Sequence, residues 1–206
     1  ETDITISLNE PEKMVNDAKE AVKKGFKILK IKVGVDPNKD FQRVKMIREN
    51  IGTDIKIRLD ANQGWNIKEA LSLMKKLEKY DIELLEQPVI NWNIEGLKYL
   101  RNCLSLPIVA DESVFNVHDA LNIIRLNAAD MINIKLMKCG GIYNAIKINK
   151  IAEAAGIECM IGCMIESKIS VTAASHFAAA FKNITKADLD SPLFFESDFI
   201  PDGIAY

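Results

Sequence analysis

Short runs rich in β-branched and other apolar residues alternate along this chain with longer stretches of helical spacing. That alternation confines it to folds built around a parallel sheet. The strand-like runs are Thr5–Leu8, Ile28–Val33, Ile55–Leu59, Ile82–Leu85, Ile108–Ala110, Met131–Leu136 and Cys159–Ile161, with an eighth at Lys186–Leu189. Helical periodicity covers Pro37–Asn50, Ile67–Tyr80, Val117–Leu126 and Tyr143–Ala155. Pro11 and Pro37 stand where a first helical turn tolerates a missing N–H, and Asn66 is placed as an N-cap. Crossovers between successive parallel strands permit an open doubly wound sheet or a closed barrel. No glycine-rich dinucleotide loop follows an early run, and eight similar units fit a closed α/β barrel. The expectation is one barrel domain over residues 1–206.

Composition narrows the function classes. The 27 basic and 29 acidic residues are interspersed and leave a formal net charge of −2, which offers no footprint for nucleic acid or an anionic membrane surface. The longest apolar stretch, Ile169 to Phe181, is interrupted by Ser170, Thr172, Ser175 and His176 and is too short to span a bilayer. The four cysteines form no CxxC pair, so reduced, buried thiols are expected. No basic, apolar leader precedes the first run, and a cytoplasmic location is the expectation. His118 and His176 fall in helical stretches and read as surface or packing residues.

Charged residues close the strand-like runs at their C-terminal ends. Lys32, Asp60, Glu86, Asp111 and Lys135 follow one another at intervals of 28, 26, 25 and 24 residues, each about one strand–helix unit. All five therefore recur at one height, at the C-terminal mouth where barrel active sites are built. Three carboxylates on adjacent strands would repel unless a cation sat among them, and an all-oxygen triad suits Mg²⁺. Asp60, Glu86 and Asp111 are accordingly the candidate metal ligands. Glu83 lies at its strand's start, and Glu112 is out of phase with Asp111. Lys30 and Lys32 are two apart and leave the same face of the second strand. Lys135 comes from the opposite wall, so a substrate between them would meet an amine on each side. Burial and nearby positive charge are expected to lower these lysines' pKa toward neutrality, as a base requires. Lys138, beyond the end of its strand, is set aside. Asp188 and Asp190 share a face at the end of the eighth run, where two carboxylates suit a cationic group such as an α-ammonium.

The Lys30–Lys32 pair, Leu59–Asn62 (LDAN), Leu84–Pro88 (LLEQP), Ala110–Ser113 (ADES) and Ile134–Gly141 (IKLMKCGG) together resemble the muconate-lactonizing subgroup of the enolase superfamily. The resemblance runs from about residue 2 to about residue 195. It implies a modified TIM barrel, (β/α)₇β, with Asp60, Glu86 and Asp111 holding Mg²⁺. It implies Lys32 and Lys135 as the two acid/base residues and Lys30 as a stabiliser of the enolate oxygen. The Asp188–Asp190 pair, with Gly162–Ser167 after the seventh strand, resembles dipeptide epimerases, in which the two carboxylates bind a free amino group. The implied reaction is a 1,1-proton transfer through an ene-diolate. The resemblance also implies an N-terminal capping domain and a C-terminal tail, neither contained in these 206 residues. The chain thus reads as a piece of a longer protein that could assemble as a homo-oligomer. An N-acylamino acid racemase or o-succinylbenzoate synthase would use the same triad and lysines, and a non-catalytic metabolite-binding barrel is the alternative of another class.

Overall fold

A computed structural model describes residues 1–196 and 203–206. Eight strands form a single sheet in sequential order, every neighbouring pair parallel. They are β1 (Ile4–Ile6), β2 (Ile28–Lys32), β3 (Lys56–Asp60), β4 (Ile82–Glu86), β5 (Ile108–Ala110), β6 (Met131–Lys135), β7 (Glu158–Gly162) and β8 (Ile184–Asp188). Between them run α1 (Pro11–Lys23), α2 (Pro37–Ile51), α3 (Ile67–Leu77), α4 (Ile94–Cys103), α5 (Val117–Leu126), the one-turn α6 (Leu136–Cys139), α7 (Ile142–Ala154) and α8 (Lys168–Ala180). Each of the first seven strands is followed by a crossover helix, and β8 by a 3₁₀ turn at Ser191–Phe194. This is the (β/α)₇β arrangement.

The chain's local chemistry accounts for these elements. Asp36 accepts from the Asn38 and Lys39 amides ahead of Pro37, and Asn66 and Asn116 close capping boxes with Glu69 and Asp119. Helix α3 ends at Leu77, short of the expected Tyr80, because the last three residues tighten into a 3₁₀ turn. Strand β1 begins earlier than expected and β8 covers Ile184–Asp188, not Lys186–Leu189. Both shifts lie at the seam, where pairing partners rather than residue propensity set the strand limits.

The seam is sparsely bonded. One main-chain hydrogen bond, from Asp3 N–H to the Ala187 carbonyl at 3.3 Å, links the two edges among the described residues. Side chains supplement it: Leu189 N–H donates to Thr2 Oγ1 at 2.8 Å, and Thr5 N–H to Asp190 Oδ2 at 2.6 Å.

Pleating sorts the side chains into two populations. Outward residues such as Leu29, Ile31, Ile57, Leu59, Leu85, Ile132, Ile134 and Ile161 pack under the helices as the main core. The inward set divides in two. Leu84, Val109, Met131 and Met160, from β4 to β7, form a separate apolar plug. On the other side, Arg58 of β3 donates to Asp3 Oδ2 at 2.8 Å, to Glu83 Oε2 at 2.6 Å and to the Ala187 carbonyl at 3.1 Å. Half of the barrel's interior is thus sealed by hydrocarbon and half by ion pairs. No helix among the described residues is long and apolar enough to cross a membrane. The four cysteines are free thiols, but Cys103 is exposed and Cys163 partly so, which corrects the expectation that all are buried. Both histidines lie exposed on their helices, α5 and α8.

Candidate active site

The mouth of the barrel collects the charged strand ends. Lys32 pairs with Asp60 and Asp60 with Glu86 in the β2–β3–β4 register, which sets the three at one height. Lys30, although charged, is 1% exposed. Its ammonium stands 3.0 Å from Asp60, 3.0 Å from Glu86 and 2.7 Å from Asp188. Lys32 is more open, its side chain 26% exposed, and donates to Asp60 Oδ2 at 2.7 Å and to Asn62 Oδ1 at 2.8 Å. Across the mouth, Lys135 donates to Asp111 Oδ2 at 2.7 Å.

Lys138 belongs to this cluster as well, and setting it aside is corrected. The single turn of α6 folds it back over the rim, where its side chain is 3% exposed and its ammonium lies 2.5 Å from Asp111 Oδ1. It also donates to the Asn133 carbonyl at 3.1 Å. A one-turn reversal straight after a strand leaves no periodic signal, so spacing alone could not place it. The decoy Glu83 sits with Arg58 and Lys56, away from the mouth. Glu112 accepts from Asn62 at the rim and has one buried oxygen with no hydrogen bond.

The lowering expected of the lysines counted on a cation among the acids; the protein's own charges act in the opposite direction. Burial, the largest influence on Lys30, pulls its pKa down, but Asp188, Asp60 and Glu86 together raise it well above the ordinary lysine range. Lys135 follows the same pattern: burial lowers it, while Asp111 and Glu86 more than offset that. With no cation among the acids, both are therefore held as ammonium ions by their carboxylate partners. For Asp111, burial favours the neutral acid, yet Lys138 and Lys135 hold the carboxyl well below its usual range. Glu86 moves the other way: burial, then the charge of Asp60, push it up to about 7.

Several residues with no expected role fix this geometry. Gln87 takes positive φ just after Glu86 and turns its amide into the rim. It donates to the Val89 carbonyl and Ser113 Oγ, and accepts from the amides of Asp111 and Ser113 at 2.9 and 3.1 Å. All four hydrogen-bonding positions of that amide are used, which pins Asp111 to β4. Asn133 donates to Glu86 Oε1 at 2.7 Å from the floor of the site. Gly162 provides space, since a Cβ there would lie 2.6 Å from Asn133 Oδ1 and 3.0 Å from Lys135 Cε. Between β2 and β3 the backbones of Gly34 and Gly64 touch, and a Cβ at Gly64 would overlap the Gly34 carbonyl at 1.8 Å.

Asp60, Glu86 and Asp111 form an all-oxygen set of the kind Mg²⁺ prefers. Glu86 Oε2 is buried and makes no hydrogen bond beyond its 3.0 Å approach to the Lys30 ammonium. With Glu86 reluctant to ionise among its neighbours, the cluster has room for added positive charge, and the three residues fit a divalent cation. Among the described residues a second acidic group stands beside it: ligand atoms of Asp3, Asp188 and Asp190 all lie within 4.8 Å of one another. Lys30 holds Asp60, Glu86 and Asp188 around its own ammonium.

Residues 13–205 match the family model described as "Enolase C-terminal domain-like". This chain belongs to that family. The enolase-type barrel is 52% identical over 208 residues to the L-Ala-D/L-Glu epimerase of Clostridium acetobutylicum, covering 100% of this chain and 58% of that protein. The solved structure of a substrate-liganded complex of the Bacillus subtilis L-Ala-D/L-Glu epimerase superposes with a TM-score of 0.98 at 50% identity, covering 100% of this chain and 58% of that one. The Enterococcus faecalis dipeptide epimerase, solved with Mg and L-Leu-L-Tyr, superposes at 0.97 with 53% identity, covering 99% of this chain and 58% of that one. The barrel described here thus spans less than three-fifths of the relatives it matches.

Proposed function

We propose that this chain is the catalytic barrel of a Mg²⁺-dependent dipeptide epimerase, with Asp60, Glu86 and Asp111 as metal ligands. The observation that carries this reading is the position of Lys32 and Lys135. Each is hydrogen-bonded to a different member of one acid cluster, Lys32 from the β2–β3 side and Lys135 from the β5–β6 side.

The proton beside a carboxylate is a very weak acid because its removal concentrates two negative charges on one ene-diolate. Bound Mg²⁺ would supply fixed positive charge against that carboxylate. Lys30, buried and held protonated, is suited to stabilise the developing charge rather than to accept a proton. To act as a base, Lys32 must leave Asp60, and Lys135 must leave Asp111. The free amine takes the α-proton on its face and becomes an ammonium; the opposite lysine, already an ammonium, delivers its own proton to the other face. Net charge and proton count are conserved, and the stereocentre inverts. Asp188 and Asp190 would receive the dipeptide's α-ammonium.

The L-Ala-L-Glu/L-Ala-D-Glu pair is the substrate class we assign, supported by the relatives' activities. Completion of the mouth by a capping domain of the same polypeptide and a cytoplasmic setting, consistent with four free thiols, belong to the same proposal. The test is incorporation of ²H from D₂O into the α-position of L-Ala-L-Glu with Mg²⁺ present, for which exchange and epimerisation are expected. Exchange into N-acyl amino acids but not into dipeptides would replace this reading with an N-acylamino acid racemase.

A further inference from the structure

Asp3 has no place in the reaction outlined above, yet it is 0% exposed in the barrel interior. Its Oδ2 accepts from Arg58 at 2.8 Å, while its Oδ1 has no hydrogen-bond partner. A carboxylate oxygen of Asp3 lies within 4.8 Å of one from Asp188 and one from Asp190. Asp188 spends Oδ2 on Lys30 at 2.7 Å, and Asp190 spends Oδ2 on the Thr5 amide at 2.6 Å. Ionised carboxylates this close in a desolvated interior are unstable unless a proton or cation lies between them. Arg58 gives Nη1 to Asp3 Oδ2 and the Ala187 carbonyl and Nε to Glu83, and no hydrogen bond from it reaches Asp3 Oδ1.

We propose that Asp3 is a positioning residue: it donates its own proton to Asp188 across the β8–β1 seam and fixes that carboxylate for Lys30 and for a substrate's cationic group. Arg58 anchors Oδ2, which leaves Oδ1 as the oxygen available to Asp188. The charge distribution agrees: burial first and Asp188 second push the Asp3 carboxyl well above the usual carboxylate range, while Asp188 is held below it by Lys30 against burial. A donor on one side and an ammonium on the other leave Asp188 a single orientation, which a two-aspartate motif on a strand end would not enforce alone.

The inference rests on the epimerase reading for its substrate but not for its geometry, and the test separates the two. Asp3→Asn keeps a neutral donor toward Asp188; Asp3→Ala removes it. Infrared spectra of the intact protein at neutral pH should show a protonated-carboxyl stretch, separate from that of Glu86, that both variants lose. With L-Ala-L-Glu, Asp3→Ala should raise KM roughly ten- to hundredfold, the loss of about one hydrogen bond to a charged group, with kcat changed far less. Asp3→Asn should recover most of that loss. Absence of the carboxyl band in the parent protein overturns the proposal. So does an Asp3→Asn variant as impaired as Asp3→Ala, which would mean that Asp3 acts through its negative charge. A parent protein that shows the band but exchanges no dipeptide would sink the epimerase reading and leave the Asp3 assignment standing. If Asp3→Ala does not fold, the band in the parent protein and its loss in Asp3→Asn still decide.

Discussion

Glu86 shows at the level of one residue how this site exchanges stability for binding. Its ordinary pKa near 4.5 rises to about 7 because it is buried beside Asp60. Below about 4.5, folded and unfolded chains are both protonated there and the group is neutral in stability. As pH rises toward 7 the unfolded chain ionises first, so stability falls; above about 7 the full penalty is present. Glu86→Gln keeps an acceptor for Asn133 and should stabilise the metal-free protein at pH 8 by up to about 3 kcal/mol. At pH 4.5 it should change almost nothing. Urea titrations at the two pH values check this, and an equal effect at both refutes it. The same reasoning explains why the lysines are held charged. Lys30 and Lys135 are surrounded by the very acids proposed to hold a cation, so their basicity is set by how those acids are shared.

At the level of elements, strand ends and the turns after them divide the labour. The strands bring the charged groups to one height, and the loops aim them. Gln87 ties β4 to Asp111, α6 reverses the chain so that Lys138 reaches the same carboxylate, and Gly162 on β7 clears the path of Lys135. Gly162→Ala would place a methyl 3.0 Å from Lys135 Cε and 2.6 Å from Asn133 Oδ1. The expected result is a displaced Lys135 and a fall of about tenfold or more in α-proton exchange, since small misplacements of a reacting group are costly. Far-ultraviolet circular dichroism should remain unchanged. Unaltered exchange kinetics would show that Lys135 does not rely on that space.

For the whole molecule, the barrel is closed unevenly. Among the described residues seven strand pairs carry ladders, while the β8–β1 seam depends on one main-chain bond and a few side chains. Amides of β1 should therefore exchange faster with D₂O than those of β3, whose neighbours bond it on both sides. Comparable protection in the two strands would argue against a weak seam. Cation binding should act on the entire fold: Mg²⁺ at about a hundred times its Kd should stabilise the protein by about 2.7 kcal/mol. Asp60→Asn should abolish the accompanying rise in Tm, and a rise that survives the substitution would move the metal away from these acids.

The parallel barrel and the gathering of Lys32, Asp60, Glu86, Asp111 and Lys135 at its mouth were legible in the sequence, from the apolar period along the elements and one strand–helix unit between charges. Strand parity likewise put Lys30 with Lys32 and Asp188 with Asp190. The (β/α)₇β order was implied only by the resemblance to the enolase superfamily. Tertiary structure alone decided the contacts that have no period. Asp3 and Asp188 are 185 residues apart and meet because the ends of the sheet close on each other. Lys138 meets Asp111 because a single helical turn reverses the chain. The protonation of the lysines was undecidable for the same reason, since it depends on how many carboxylates surround each ammonium and on how little water remains. Periodicity specifies which face and which height a side chain takes; closure of the barrel specifies what it touches.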